Sequence, residues 1–509
     1  MSQLTQAMSL TPAGQGDSTA QSLSPARQRK RFAQVLLLLF FLTLPLVNPW
    51  VRGDGVGYYA YVRSLLIEHQ LDFTNDWRAG NESFYMGRVQ PDGSIEPHQY
   101  TRTHHLDNHY AVGASMLWAP FIVPVHWSLL ALQKFGVNVR ANGYSRPYII
   151  VMALATALYG FLGLWLSFQL ACVYCDERWA FLATVGIWFA SSVPVYMYFN
   201  PSWSHSHSVF AVALFLWYWH RTRQGRTLAQ WAILGSLSGL MLDVYYLNIA
   251  VLLIPLLESL RQYATSWRSS GRNGNGVGRL FKAHIAYSLA LVGAFLPTLI
   301  SRKIIYGNAL DLGYTAEWSS KPAFLQVLFS SDHGLLTWTP ILILAILGMF
   351  LFQKLDKELA GYILISSLAL YIMVSFHSNW DGLSSFGNRF FISLTPFFVL
   401  GLAVSFQEFA ALVKNAGRAL WMASVASALF ILWNLAFIFQ WGTHLVPVRG
   451  PISWRQMVRN QFIAVPRQAG KEISAYFENR RALMNVIEQE DVQQLEQQRE
   501  TVRTNDQRP

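Results

Sequence analysis

The sequence predicts an all-α, polytopic membrane protein, and three observations support that prediction. Of the 509 residues, 52% are hydrophobic and only 13% are charged, and the mean hydropathy is +0.25. Apolar segments recur along the chain, and about 20 mostly apolar residues cross a ~30 Å hydrocarbon core as a helix. The 19 Trp and 22 Tyr suit the membrane interfaces, where an apolar ring with one polar atom is most stable.

The chain divides into three regions. Residues 1–32 are a predicted disordered cytoplasmic tail, rich in Ser, Gln and Thr, which ends in a basic cluster. Residues 33–440 are predicted to hold about eleven transmembrane helices, the first of them a retained anchor. Residues 441–509 are a polar C-terminal tail, for which a surface helix with a frayed end is expected. The expected spans are 33–50, 111–132, 147–170, 179–199, 205–220, 228–260, 283–301, 338–353, 359–376, 389–410 and 419–440.

Loop charges give an expected topology. With the N-terminus inside, four basic loops fall in the cytoplasm, as the positive-inside rule requires: 133–146, 261–282, 354–358 and 414–418. The first external loop, 51–110, then lies outside and is expected to be helical and ordered. Three arginines between 221 and 226 disagree, because this scheme puts them outside. Segment 228–260 is long enough for two short helices, so the topology of 147–260 stays open.

The net charge of +11 could suggest nucleic-acid binding, but we exclude that interpretation. The basic residues lie mostly in short loops between apolar segments, where they orient helices in the membrane. No aromatic and basic nucleic-acid module is present. The expected partner is the lipid bilayer.

One carboxylate stands directly after the first apolar segment, within Arg52-Gly-Asp-Gly-Val-Gly-Tyr-Tyr. Three glycines leave Asp54 with little side-chain cover, and Tyr58 and Tyr59 follow on an expected surface helix. Sugar transfer from a polyprenyl phosphate needs a base for the acceptor, cations for the leaving phosphate and a groove for the lipid. Asp54 suits the base, although a helix N-cap explains it slightly better when it is considered alone.

Other polar residues are expected on the same outer side as Asp54. The candidate phosphate-binding cations are Arg52, Arg389, Arg302 and Lys303, each of which could instead be an interfacial anchor. Further candidates for substrate binding there are His104, His105, Asp107, Asp332, His333, Trp380, Asp381 and Asn388. His205 and His207 are candidates whose side stays open, and they could instead satisfy each other at a helix end. The histidines near 104–109 match no zinc spacing, so a divalent metal is possible there but no metal or other cofactor is predicted.

These motifs give the chain a family resemblance over residues 33–440. It resembles GT-C-type membrane glycosyltransferases and is similar to the protein O-mannosyltransferases, the aminoarabinose lipid A transferases and their uncharacterised bacterial relatives. The resemblance is carried by the early acid Asp54, by Tyr110–Pro120, by Ser331–Pro340 and by Trp380–Arg389. It implies that Asp54 is the catalytic base or a donor-site ligand, and by position alone that Arg389 binds phosphate. The mannosyltransferases have adjacent Asp-Glu in this loop, whereas Gly55 follows Asp54 here.

The expected function is therefore transfer of a sugar from a polyprenyl-phosphate donor to a lipid, glycan or protein acceptor. The expected location is a bacterial inner membrane, with the active site on the periplasmic side. A transporter or flippase of a lipid-linked saccharide is the alternative, although the chain shows no internal repeat of the kind common in transporters. A non-catalytic assembly protein is a third class, but it gives no reason for polar residues to collect on one side.

Overall fold

The computed structural model describes residues 25–269, 275–313, 318–447 and 449–506. Within these ranges the fold is all-α, and the only β contacts are isolated bridges. In chain order the α-helices are α1 Pro25–Thr43, α2 Asp54–Arg63, α3 Thr74–Arg78, α4 Glu82–Tyr85, α5 Gly113–Lys134, α6 Arg146–Tyr174, α7 Glu177–Phe189, α8 His205–Thr222, α9 Leu228–Val244, α10 Leu253–Ser269, α11 Asn275–Tyr306, α12 Phe324–Phe329, α13 Leu335–Trp338, α14 Leu342–Leu351, α15 Lys357–Ser375, α16 Thr395–Val413, α17 Ala416–Gly442, α18 Trp454–Arg459, α19 Val465–Glu478 and α20 Arg480–Asp506.

The apolar helices confirm the polytopic membrane fold. Six helical stretches in the described ranges are long and apolar enough to cross a membrane: Gly113–Lys134, Arg146–Tyr174, Gly276–Tyr306, Lys357–Ser375, Arg389–Val413 and Ala416–Gly442. Shorter apolar helices lie at Leu228–Val244 and Leu342–Lys354. The expected segment 228–260 divides into α9 and α10, joined by a 3-10 turn at Tyr246–Leu252. The number of about eleven spans stays a prediction.

Small residues let the central helices approach closely. A Cβ atom added to Gly348 on α14 would lie 1.7 Å from the carbonyl oxygen of Gly401 on α16. Such contacts are typical of membrane helices, which associate by packing rather than by excluding water. Most of α16 is buried as a result, so this helix lies at the centre of the bundle.

The direction of α6 corrects the expected topology. Phe40 of α1 stacks on Phe161 of α6, with ring centroids 4.6 Å apart, and Arg29 donates to Gln169 Oε1 at 2.8 Å. The earlier residue of α1 contacts the later residue of α6, and the later residue of α1 contacts the earlier residue of α6. The two helices are therefore antiparallel. The start of α6 therefore lies at the end of the bundle that carries loop 51–110, which we call the outer end.

The α5–α6 connection lies at this outer end as well. Tyr59 donates to the carbonyl oxygen of Gly143 at 2.7 Å, and Tyr144 donates to Asp76 Oδ1 at 3.2 Å. The prediction that loop 133–146 is cytoplasmic is wrong, because these contacts hold it against the first external loop. Although α5 is long and apolar enough to span, it does not carry the chain to the opposite end.

That correction removes the arginine anomaly. Arg223 pairs with Asp356 at 2.5 Å, and Arg226 pairs with Glu258 at 2.7 Å. Both pairs lie at the inner end, opposite Asp54, where basic residues are expected. The sequence had placed residues 221–226 outside because α5 was counted as a helix that crosses the membrane. That extra crossing reversed the side assigned to every loop from 133 to 260.

The C-terminal tail packs back onto the outer end. Tyr476 of α19 donates to the carbonyl oxygen of Leu46 at 2.7 Å, and Arg480 of α20 donates to those of Pro45, at 2.7 Å, and Val47. These contacts join the tail to the chain segment just before Asp54. The tail is helical as expected, but it is part of the folded outer end rather than a frayed surface helix.

Candidate active site

Asp54 is the first residue of α2, and its carboxylate is bonded on both oxygens. Arg389 Nη1 donates to Oδ2 at 2.5 Å, and the Tyr110 hydroxyl donates to Oδ1 at 3.1 Å. Gly53, with a φ of 53°, occupies the N-cap position, and no side chain caps the helix. The N-cap interpretation of Asp54 is therefore wrong. Its carboxylate accepts hydrogen bonds from Arg389 and Tyr110, which are distant in sequence, and does not cap its own helix.

The electrostatic environment keeps Asp54 ionised. Burial by itself would raise the pKa of this carboxyl group, but the charge and the hydrogen bond of Arg389 outweigh burial and hold the pKa below its usual range. The side chain of Asp54 is 27% exposed and that of Arg389 is 14% exposed. A largely enclosed ion pair with one open side results, at the outer end of the bundle.

The guanidinium group of Arg389 packs over an aromatic ring. It lies over Trp203, 4.7 Å from the ring centroid, and the Trp203 indole donates to the carbonyl oxygen of Arg52 at 3.0 Å. The segment before α8 thus contacts the segment before α2. The one hydrogen bond that the guanidinium forms with described residues goes to Asp54, and its Nε has no partner there.

A cleft of about 170 Å³ opens beside the pair. Basic side chains predominate among its charged lining residues, which come from segments far apart in the sequence: Arg52, Asp54, Arg88, Arg389, Arg449 and Asp491. Four guanidinium groups around one cleft favour an anionic ligand.

Helix α20 forms one wall of the cleft, and its acidic side chains neutralise part of the positive charge there. Arg52 forms an ion pair with Asp491 and lies 3.8 Å from Glu488. His444 Nε2 lies 2.8 Å from Asp491 Oδ1, and its Nδ1 lies 2.6 Å from Glu490. Arg52 thus lines the cleft, but an acid of the C-terminal tail already binds it.

Tyr58 and Tyr59 do not lie on a surface helix, as the sequence had suggested. Their exposed fractions are 4% and 2%, because α2 is buried and not a surface helix. A Cβ atom at Gly57 would lie 1.9 Å from the ring of Tyr110, so this glycine lets Tyr110 cross α2 closely. The glycines serve packing, and the tyrosines position Tyr110 and the loop at Gly143.

His205 and His207 lie at the outer end, which settles the side left open by the sequence. His205 packs against Tyr196, with centroids 4.5 Å apart, and lies near the charge of Arg389. His207 lies deeper, edge-on to Trp118 at 5.0 Å. Both are buried, and neither lines the cleft beside Asp54.

His104, His105 and Asp107 lie on another part of the outer loop. The hydroxyl of Tyr306 donates to Asp107 at 2.5 Å. Thr103 lies 3.0 Å from His105 Nδ1 and donates to the carbonyl oxygen at the end of α11. His104 is exposed. None of the three lines the cleft, so the structure does not bring them to Asp54.

Arg302 is a structural residue. It donates to the carbonyl oxygens of Asn108, at 2.6 Å, and of Tyr110, at 2.5 Å, from a fully buried position. It therefore ties loop 51–110 to α11 and holds Tyr110 in place for its bond to Asp54. Lys303 donates to the carbonyl oxygen of Gly307 and is exposed.

The two late loops meet behind Arg389. His333 Nδ1 lies 3.0 Å from the carbonyl oxygen of Asp381, and Asn388 Nδ2 donates to that of Trp380 at 2.9 Å. Asp332 stands beside His333, in the same group of side chains as Asp381. These residues support the loop that carries Arg389, and none of them lines the cleft.

Several residues of the site were not predicted, among them Tyr110, Trp203, Asp491 and the two cleft arginines Arg88 and Arg449. Tyr110 and Trp203 stand in polar, aromatic segments at the ends of expected spans, which is a weak signal. Asp491 gave no signal, because it lies in a charge-mixed tail where one carboxylate resembles another.

Comparisons with known proteins identify solved structures only. No family model and no curated protein matches the chain. The structure is similar to ArnT from Cupriavidus metallidurans, with 13% identity in both states. For the apo state the TM-score is 0.44, covering 82% of this chain and 72% of that one. For the state bound to undecaprenyl phosphate it is 0.45, covering 91% and 77%.

It is also similar to the archaeal oligosaccharyltransferase AglB from Archaeoglobus fulgidus, in complex with an inhibitory peptide and a dolichol-phosphate. Here the TM-score is 0.41 at 13% identity, and the match covers 92% of this chain and 56% of that one. These proteins are GT-C glycosyltransferases, the class that the sequence resembles. All three TM-scores are below 0.5, and the function is therefore argued from the chain's own contacts.

Proposed function

We propose that the chain is an integral-membrane glycosyltransferase that takes a sugar from a polyprenyl phosphate and gives it to a hydroxyl acceptor at the outer end. The observation that carries this proposal is the Asp54–Arg389 pair, a carboxylate and a guanidinium that share one open cleft. The first can accept a proton and the second can bind a phosphate.

The pair also suggests how donor binding prepares the base. Asp54 is a weak base while Arg389 holds its pKa low. A donor phosphate that binds Arg389 competes with Asp54 for the same guanidinium. Loss of that partner raises the pKa of the carboxylate, because burial then acts without its counterion. Asp54 therefore becomes more basic when the donor is in place.

The reaction balances with these groups alone. The acceptor hydroxyl oxygen bonds to the anomeric carbon of the sugar as the bond from that carbon to the phosphate oxygen breaks. The hydroxyl proton goes to Asp54, and the leaving polyprenyl phosphate keeps the electron pair, stabilised by Arg389. The phosphate needs no proton donor to leave.

An apolar groove supports a lipid-linked donor. It has a volume of about 500 Å³ and lies between α14, α17 and the 331–340 loop. Its lining includes Phe329, Leu336, Ile343, Leu429, Phe430 and Trp433. Trp338, in the same loop, packs against Phe386, with ring centroids 5.3 Å apart. Phe386 stands three residues before Arg389 in the sequence. A polyprenyl chain in this groove would end close to the cleft.

The test uses the full-length protein in sealed vesicles with a radiolabelled polyprenyl-phosphate sugar outside. Asp54→Asn keeps the size of the side chain and its hydrogen-bonding oxygen but cannot accept the proton, so we expect a 100-fold or greater loss of transfer, on the order of a general base's contribution. Asp92→Asn, an exposed change in the same loop, is the matched control.

The same vesicles separate the enzyme from a flippase. A transferase with its site outside forms product from external donor, whereas a flippase moves donor and forms none. Undiminished transfer by the Asp54→Asn protein would contradict the role of Asp54, and absence of transfer by the wild-type protein with any polyprenyl-phosphate sugar would contradict the proposed activity.

A further inference from the structure

A second group of chemically active side chains lies behind the cleft. Asp332, His333 and Asp381 each offer one ligating atom, and these atoms all lie within 4.8 Å of one another. The first two come from the turn before α13, and the third comes from the loop before Arg389. Loop packing alone gives no reason for two carboxylates and an imidazole to converge.

The histidine is held as metal-binding histidines usually are. Its exposed fraction is 1%, and its ring stands edge-on to Trp338 with centroids 4.8 Å apart. The contact of Nδ1 with the carbonyl oxygen of Asp381, at 3.0 Å, favours the tautomer with the proton on Nδ1. In that tautomer Nε2 keeps a lone pair, and a second-sphere carbonyl of this kind orients a ligand ring. His333 also adopts a φ of 55°, which is rare for a non-glycine residue and shows that its position is imposed by the surrounding structure.

The carboxylates are not neutralised by the protein. Asp332 Oδ1 is buried and has no hydrogen-bond partner in the described ranges. Neither Asp332 nor Asp381 has an ion pair with Lys or Arg there, since Arg389, the nearby cation, pairs with Asp54. A buried carboxylate oxygen without a partner is costly, and a bound cation would remove that cost.

We propose that Asp332, His333 and Asp381 form a binding site for one divalent transition-metal ion, of which Mn²⁺ is the test case. Two carboxylates and one imidazole suit a borderline-hard ion such as Mn²⁺ or Zn²⁺ better than Ca²⁺, which prefers oxygen ligands alone. Three protein ligands leave coordination positions open for water or an anion. The site differs from the histidines near 104–109, where the sequence had suggested a possible metal.

The site is connected to the cleft through one short loop. Gly382, next to Asp381, lies so close to Arg389 that an added Cβ would be 3.3 Å from the Arg389 Cγ. A bound ion would therefore fix the loop that carries Arg389 and add positive charge behind it. That contribution to donor binding rests on the proposed function, whereas metal binding itself does not.

The experiment measures metal binding without any donor. The purified full-length protein is treated with a chelator, dialysed and titrated with Mn²⁺, and free Mn²⁺ is followed by electron paramagnetic resonance. We expect saturable binding of one ion per chain. Asp332→Asn and Asp381→Asn should each weaken the affinity at least tenfold, whereas the exposed Asp311→Asn should leave it unchanged.

Two results would overturn the site: wild-type protein that binds neither Mn²⁺ nor Zn²⁺ saturably, or Asp332→Asn and Asp381→Asn variants that bind as the wild type does. Because an unfolded variant would also lose binding, each variant is checked by gel filtration and by its melting temperature. Mn²⁺ should raise the melting temperature of the wild type and not that of the two variants. Loss of transfer in Asp54→Asn with metal binding intact separates this site from the proposed activity.

Discussion

Asp491→Asn should release α20 from the outer end. The Asp491 side chain is 8% exposed and bonds to both Arg52 and His444. Removing one member of a buried ion pair costs about 3–5 kcal/mol, because the remaining charge stays buried. We expect the lower value, about 3 kcal/mol, since Arg52 keeps Glu488 at 3.8 Å. That is a rise of about a hundredfold in the equilibrium for opening the helix.

Hydrogen exchange measured by mass spectrometry on peptides from residues 480–497 reports this opening. Protection should fall there in Asp491→Asn and stay unchanged in peptides from α16. Glu496→Gln is the matched control, because it also neutralises an acid of α20 but at an exposed position. Equal exchange in the two variants would refute the idea that the buried pair holds the helix. The anchors would then be Arg480, which donates to the carbonyl oxygens near Pro45, and Glu488, which accepts from Asn81 and Ser83.

Two further predictions follow from the same structure. Burial lowers the pKa of His444, but Asp491 and Glu490 raise it overall, so its stabilisation of docked α20 is full below the ordinary histidine pKa of about 6.5 and is lost as the pH rises through the raised value. Protection of α20, corrected for intrinsic exchange, should therefore fall above neutral pH, and His444→Gln should abolish that pH dependence. In the bundle, Gly348→Ala should lower the melting temperature, at a cost of about 1–3 kcal/mol, because its Cβ meets the next helix at 1.7 Å. Gly361→Ala, which meets nothing within 4 Å, should not lower it, and equal melting temperatures for the two variants would contradict the close contact.

The fold class could be predicted from the sequence because it depends on local composition. Apolar length and the positions of the spans follow from the membrane itself, and most expected spans agree with helices to within a few residues. The membrane topology could not be predicted as securely, because it depends on whether a single helix, α5, crosses the membrane. The apolar length of α5 suggested a crossing, and only the contacts of the α5–α6 connection with Tyr59 and Asp76 show that α5 does not cross. The three basic residues at 221–226 were the one sequence signal of that error.

The site was predictable in part for a related reason. The side on which Asp54 and Arg389 lie follows from the order of spans, but their pairing joins residues 335 positions apart, and no local pattern encodes it. Tyr58 and Tyr59 were misjudged because the glycines beside them suggested exposure. Those glycines in fact permit close packing, which buries the helix. The role of Asp491 depends on how a tail folds back, which neither charge nor periodicity specifies.

The two ion pairs of the cleft suggest a common principle for its ligand. Arg389 is bound by Asp54 and Arg52 is bound by Asp491, so both cations are already neutralised by carboxylates of the protein. In the proposed function, an anionic donor that binds Arg389 or Arg52 competes with one of these carboxylates for its guanidinium. Replacing Asp54 frees a base, whereas replacing Asp491 loosens a helix. Because an unpaired buried carboxylate is costly, a donor phosphate that draws Arg389 away from Asp54 would raise the pKa of Asp54 and so make it a stronger base. In the proposed reaction the acceptor hydroxyl gives its proton to Asp54 as its oxygen bonds to the sugar, so binding of the donor would be linked to the chemistry of transfer.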